Sequence, residues 1–250
     1  MKKISLSRHI MGMTALGVLS VAAQPVQAAV SGNIGVFSKY VLRGVTNDAE
    51  SDDPALQGGF DYSHDSGFYA GYWGSSLDYN YETGSDTTAA TGFENDFYFG
   101  YAPTVGDVTF DIGLIQYYYV SVDDSDLTEA VLGVSYMGAY AKMQYLLNDG
   151  LWGNQGDIYW TAGYAFDLPS DFTFAIDLGY YTYDDDDNDE LGGATLQDSG
   201  FRHANFTLSH PIGETGATMG LTYILGGETR DEVDQGDTMV FSITYDFDVM

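Results

Sequence analysis

The sequence predicts an all-β protein: a transmembrane, up-and-down antiparallel β-barrel of about twelve strands, preceded by a cleaved signal peptide. Three observations predict it. Apolar and polar residues alternate with a period of two in twelve successive runs, which is the pattern of strands with one apolar and one polar face. The connections between runs alternate between long, acidic ones and short ones, the rhythm of outer-membrane barrels. The chain is also rich in turn and strand formers, with 31 Gly and 21 Tyr in 250 residues, and after the N-terminus no run approaches the roughly 20 apolar residues of a spanning helix.

The N-terminus comes first. Lys2, Lys3 and Arg8 precede the apolar segment Ile10–Ala23, and Val26-Gln27-Ala28 ends in a small residue suited to cleavage before Ala29. Met1–Ala28 therefore reads as a secretory signal peptide and 29–250 as one barrel domain. Removing it leaves five Lys and Arg against 37 Asp and Glu, a formal charge of −32. Nucleic acid, which is bound through basic residues that neutralise phosphate, is excluded as a partner. With no cysteine there is no disulfide scaffold and no thiolate metal site.

The first run, Asn33–Arg43, puts Ile34, Val36, Tyr40 and Leu42 on one face and Asn33, Lys39 and Arg43 on the other. The acidic linker Thr46–Asp53 follows. Ala55–His64 alternates Leu56, Phe60 and Tyr62 with Gln57, Asp61 and Ser63, and Asp65-Ser66-Gly67 turns at once into Phe68–Tyr79. Beyond the polar loop Asn80–Gly92, the fourth run sets Phe93, Phe97, Phe99 and Tyr101 against Glu94, Asp96 and Tyr98. The fifth sets Phe110, Ile112, Leu114 and Tyr118 against Asp111, Gly113 and Tyr117. Leu132, Val134 and Tyr136 oppose Glu129 and Ser135; Met137-Gly138 turns; Ala141, Met143 and Tyr145 oppose Tyr140, Lys142 and Gln144. Trp160, Tyr164 and Phe166 oppose Thr161 and Gly163, and Phe174, Ile176, Leu178 and Tyr180 oppose Asp177 and Gly179. The most acidic loop, Asp184–Gly200, leads to a run with Ala204, Phe206 and Leu208 against His203, Asn205 and Ser209. Ala217–Leu225 and the closing run Met239–Phe247 complete the set. The apolar faces repeatedly end in Tyr40, Tyr62, Tyr101, Tyr118, Trp160, Tyr180 and Tyr245, as interfacial aromatic girdles do.

The residues SKYVLRGVTNDAESDDPALQGGFDYSHDSGFYAGYWGSSLD carry a resemblance. Their recurring pieces are Tyr40 with Arg43-Gly44, Pro54-Ala55 with Gln57-Gly58-Gly59, and Ser66-Gly67-Phe68-Tyr69 with Gly71, Trp73 and Gly74. This stretch resembles the N-terminal signature of the TorF-type porin family of Gram-negative outer-membrane proteins, also described as a conserved hypothetical family. The resemblance implies a β-barrel and a pore-like role, and brings no substrate and no functional residue.

By parity the inward faces hold nine charged residues, the candidate lumen lining: Lys39, Arg43, Asp61, Glu94, Asp96, Asp111, Glu129, Lys142 and Asp177. Six acids against three bases suit a conduit that prefers cations; paired off, the same residues would fill a plugged interior, and twelve strands lie between the packed and the open size classes. Arg202 falls on the outward parity near the outside rim, placed for lipopolysaccharide phosphates or for solvent. Asp184, Asp186 and Asn188 have EF-hand alternation, but Asp189 stands where Gly is required and Thr195 where Glu is, so that motif is rejected. His203, Asn205 and Ser209 share an inward face, the residue types of a hydrolase, although a barrel enzyme acting on lipid would need them outside. The expected function is an outer-membrane porin-like channel for passive diffusion of small hydrophilic solutes, with no catalytic residue, metal or cofactor. Its expected partners are outer-membrane lipid, lipopolysaccharide and the barrel insertion machinery. The alternative is a plugged surface barrel displaying acidic loops. The purified 29–250 chain is expected to stay monodisperse only in detergent and to give a β-dominated circular dichroism spectrum; a monodisperse detergent-free form would contradict the barrel.

Overall fold

The computed structural model describes residues 29–46, 53–80, 91–120, 122, 124–185 and 191–249. Residues 1–28, expected to be a signal peptide, and the stretches 47–52, 81–90 and 186–190 of the long connections lie outside the described residues. The strands are β1 (Ala29–Phe37), β2 (Ala55–Ser63), β3 (Phe68–Asn80), β4 (Thr91–Tyr101), β5 (Thr104–Val105), β6 (Val108–Tyr119), β7 (Leu127–Tyr136), β8 (Ala139–Leu146), β9 (Ile158–Asp167), β10 (Thr173–Thr182), β11 (Ser199–Pro211), β12 (Ala217–Gly226) and β13 (Thr238–Asp248). β5 is a two-residue flap on β6; the other twelve form the wall.

Each wall strand pairs antiparallel with its sequence neighbours, β4 bridges past the flap to β6, and β1 pairs with β13 from Ser31↔Asp248 to Phe37↔Ser242. That last ladder closes the ring. The final strand runs through Asp248, and Val249 still donates its N–H to Val30 (2.8 Å), so the polar end of the chain does not break closure. Among the described residues no helix is long and apolar enough to cross a membrane.

The alternation resolves into an inverted protein. Val36, Phe60, Phe68, Phe99, Ile112 and Leu132 point outward and are about half exposed, whereas Ser75, Glu94, Asp96, His203 and Thr222 are fully enclosed on the inner face. A water-soluble monomer rarely exposes so continuous an apolar surface; an acyl-chain environment requires it. The outward aromatics form two belts. Tyr118, Trp160 and Tyr180 stand near the long connections, and Tyr62, Tyr101 and Tyr245 near the short turns. Tyr40 is the exception, and it is buried inside.

The reason is the first correction to the sequence pattern. β1 ends at Phe37, not at Arg43. Ser38 makes the last ladder contact, donating its N–H to Phe241 O (2.8 Å) and accepting the Phe241 N–H on Oγ (2.9 Å). The chain then leaves the wall and dips into the lumen over Lys39–Thr46. Tyr40 and Leu42 continue the alternation in sequence but pack against an interior cluster with Leu77, Ile115, Leu127 and Leu146.

Inward glycines serve a specific purpose. Asp61, Gly71 and Tyr98 share one row across β2, β3 and β4, and Tyr98 lies over Gly71 to donate its hydroxyl to Asp61. Tyr140, Gly163 and Asp177 do the same across β8, β9 and β10, with an O···O distance of 2.5 Å. Tyr69 crosses Gly100 and Gly113 to reach Asp111 (2.8 Å). A Cβ at Gly163 would collide with the Tyr140 ring and the Asp177 carboxylate. Gly163→Val is therefore expected to destabilise the barrel by about 1–3 kcal/mol through overpacking, measured by urea unfolding in detergent micelles. A Gly71→Val variant should behave alike.

Candidate functional site

Eight of the nine predicted lumen charges fall into two tiers. The tier nearer the short turns holds Asp61, Asp111, Lys142 and Asp177. Three of these are the acids capped by tyrosines above, and Lys142 shares a row with Asp111 across Gly133. The tier nearer the long connections holds Glu94, Asp96, Glu129 and Arg43 and forms a waist. Lys39 belongs to neither strand face, because it lies beyond the end of β1, and among the described residues it has no hydrogen-bond or ion-pair partner.

Arg43 is the centre of the waist. Leu42-Arg43-Gly44-Val45 is a tight turn closed by Val45 N–H to Leu42 O (2.9 Å), with φ of 47° at Arg43 and 76° at Gly44. A positive φ is uncommon for a residue with a Cβ. Gly44 is required twice over, since a Cβ there would lie 2.6 Å from the Cβ of His203. The turn aims the guanidinium across the lumen to Glu129 on β7. Nη1 donates to Oε1 (2.8 Å) and Nη2 to Oε2 (2.6 Å), a bidentate pair whose side chains are 11% and 5% exposed. Nη1 also donates to Tyr181 Oη (2.5 Å) and Nη2 to Tyr117 Oη (2.9 Å), while the Tyr159 ring lies 4.4 Å beneath the guanidinium carbon. The segment is anchored again by Tyr40, whose hydroxyl donates to Glu94 Oε2 (2.5 Å); Tyr119 donates to Oε1 (2.9 Å). Thr46 then ties to the β12–β13 connection through Gln235 Oε1 and Gly236 O, both at 2.9 Å. Asp96, two residues along β4 from Glu94, is as deeply enclosed, and neither of its carboxylate oxygens has a hydrogen-bond partner among the described residues.

Arg202 is the second correction. A bulge between Gly179 and Tyr180 inserts it between Phe201 and His203 in the β10–β11 ladder, so two consecutive residues turn inward. Arg202 is buried over the Tyr181 ring (5.5 Å) and donates from Nη1 to Glu228 O (3.0 Å), away from any lipid rim. His203 is engaged on both nitrogens, with Asn205 at Nδ1 (3.0 Å) and the Tyr159 hydroxyl at Nε2 (2.6 Å). Ser209 makes no bond to it, so these three residues do not assemble as a relay.

Above the waist the long connections knit together. Arg230 forms an ion pair with Asp157, donates to Thr195 Oγ1 (2.8 Å) and lies 4.8 Å over the Tyr183 ring. Burial raises the Asp157 carboxyl above its usual range, opposed by Arg230 and by the amides of Asp184 and Asn154. Of the rejected calcium motif, Asp184 is held here by its main chain, and Asp186, Asn188 and Asp189 lie outside the described residues. Sequence parity missed Arg230 altogether. It placed Tyr117 inward, as it did Tyr98 and Tyr140, but could not say which acid each would reach.

A closed twelve-strand antiparallel ring with an apolar exterior and a polar, bonded lumen is the fold of outer-membrane porins. The chain belongs to a family of bacterial proteins of unknown function (Gcw_chp), matched over residues 21–224. No curated protein matches its sequence. Among solved structures it is similar to the KdgM porin, with 8% identity and a TM-score of 0.53 over 87% of this chain and 98% of that one. It is also similar to the NanC porin, with 13% identity and a TM-score of 0.52 over 86% and 98%. An outer-membrane channel from Pseudomonas putida F1 gives 12% identity and a TM-score of 0.52 over 90% and 97%. At these identities the likeness is one of fold.

Removing one partner of a buried ion pair leaves the other charge uncompensated. Arg43→Ala and Glu129→Gln are each expected to lower stability, and the double variant to lose less than the two together, with a coupling of about 1–3 kcal/mol. Urea unfolding of all four proteins in one detergent checks it.

Proposed function

We propose that this protein is an outer-membrane channel for the passive diffusion of small hydrophilic solutes, cation-preferring and of the TorF type, exported by the Met1–Ala28 signal peptide. One observation carries the reading: the closed ring turns its apolar side chains outward and lines its interior with acidic, basic and hydroxyl side chains. A charge facing lipid would be costly, whereas lumen charges set which ions pass. Glu94, Asp96, Asp111, Asp61, Asp177 and Glu129 outnumber Lys39, Arg43 and Lys142, and Arg202 joins the inner face without reversing the balance. The mechanism is diffusion along this lining, with no covalent step and no cofactor. Outer-membrane lipid and lipopolysaccharide would surround the two aromatic belts, the insertion machinery would deliver the barrel, and small polar solutes would be its cargo.

A second reading, a plugged barrel that displays its acidic connections, is favoured by the Arg43 bridge, which spans the lumen at the waist. Planar-bilayer recording separates the two. The channel reading expects discrete conductance steps and a cation-selective reversal potential in a KCl gradient. A correctly folded barrel that stays silent would support the plug, and an anion-selective potential would overturn the charge argument. Arg43→Ala should raise conductance about twofold or more by removing the side chain that bridges to Glu129.

A further inference from the structure

We propose that the wall of the waist is a recognition site for guanidinium-bearing small solutes, and that Arg43 is its tethered occupant. This rests on the cation-preferring channel reading and names the solute class. The two sides of the Arg43 contact are built differently. The receptor side stands entirely on strands: Tyr117 on β6, Glu129 on β7, Gln144 on β8, Tyr159 on β9 and Tyr181 on β10. Its carboxylate is held without help from Arg43, because the Tyr117 hydroxyl (2.8 Å) and the Gln144 amide (2.7 Å) both donate to Glu129 Oε2. Its aromatic faces are also fixed. The Tyr159 and Tyr181 rings lie 4.9 Å apart, and Tyr181 stacks on Tyr183 at 5.0 Å and 7°. The occupant side is an irregular turn with a non-glycine residue at φ 47°.

A preorganised carboxylate that takes a planar cation through two parallel N–H···O bonds, over a ring face, selects guanidinium over a spherical ion such as potassium. The ring contact recurs towards the outer mouth, where Arg202 stands over Tyr181 and Arg230 over Tyr183. Three of the five Lys and Arg residues in 29–250 therefore sit on one line of tyrosines. The bidentate carboxylate is added at the Arg43 level, and that is where a free guanidino solute would find the full set of contacts. Tethering gives Arg43 a standing advantage in effective concentration, so a free solute competes poorly with it in the wild type and binds once Arg43 is removed.

The test uses the 29–250 barrel with Arg43→Ala, which vacates the site, or with Arg43→Gln if the alanine variant does not fold. Methylguanidinium chloride is added to the variant in planar bilayers, with urea as a neutral control of similar shape. Half-block at about 1–10 mM methylguanidinium, at least about tenfold below the concentration needed for wild type, is expected. Urea should have no effect, and Arg43→Ala/Glu129→Gln should lose the block. No block up to about 100 mM, or equal block in the double variant, would overturn the site. If neither wild type nor Arg43→Ala conducts, it is the channel reading that fails, and the site is then read by thermal unfolding in detergent. There, a rise in the melting temperature of Arg43→Ala with methylguanidinium but not urea, abolished by Glu129→Gln, supports the site; no such rise overturns it.

Discussion

Everything in this structure depends on a chain in hydrocarbon finding a partner for each main-chain N–H and C=O within itself. The β1–β13 ladder meets that demand by returning the last strand to the first. Once the ring is closed, the sign of every side-chain position is fixed, because consecutive residues must face opposite solvents. The apolar exterior, the two aromatic belts and the polar lumen follow from closure together with alternation. So does the crowding inside: a narrow ring leaves its inward carboxylates too little water, and they take protein donors instead. Asp61, Asp111, Asp177, Glu94 and Glu129 all accept a phenol, and Glu129 accepts a guanidinium as well.

Much of this was legible in the sequence, for a physical reason. A period of two is a local property, so faces can be read without knowing any partner. Strand number, the long–short rhythm and the inward positions of Asp61, Glu94, Asp111 and Glu129 emerge from it directly. What failed to emerge needs information that alternation lacks. Ser38, Tyr40 and Leu42 keep the period after the strand has ended, since a segment turning into a lumen also meets an apolar cluster on one side and polar groups on the other. Arg43-Gly44 was the visible sign of a turn. Arg202 was misplaced because a bulge adds one residue and reverses parity from that point back to the start of the strand. The tyrosine–carboxylate pairs were hidden because they join strands one or two places apart, and only register says which residues share a row.

The waist is the one level where the wall does not supply all the chemistry. Its acids come from strands, but its principal base arrives on a segment that has left the sheet. That sets a side chain carried on an irregular turn against partners fixed on strands.

The tyrosines laid over glycines have an implication for assembly. Each such row needs a bulky residue, an empty position and an acid to arrive on separate strands at one height. A ladder displaced by two residues would preserve the inside–outside sense and pass any test of hydrophobicity. It would still press an aromatic ring against a neighbour's side chain and strand its hydroxyl. The rows thus act as a proofreading device, rejecting the misaligned rings that greasiness alone would accept.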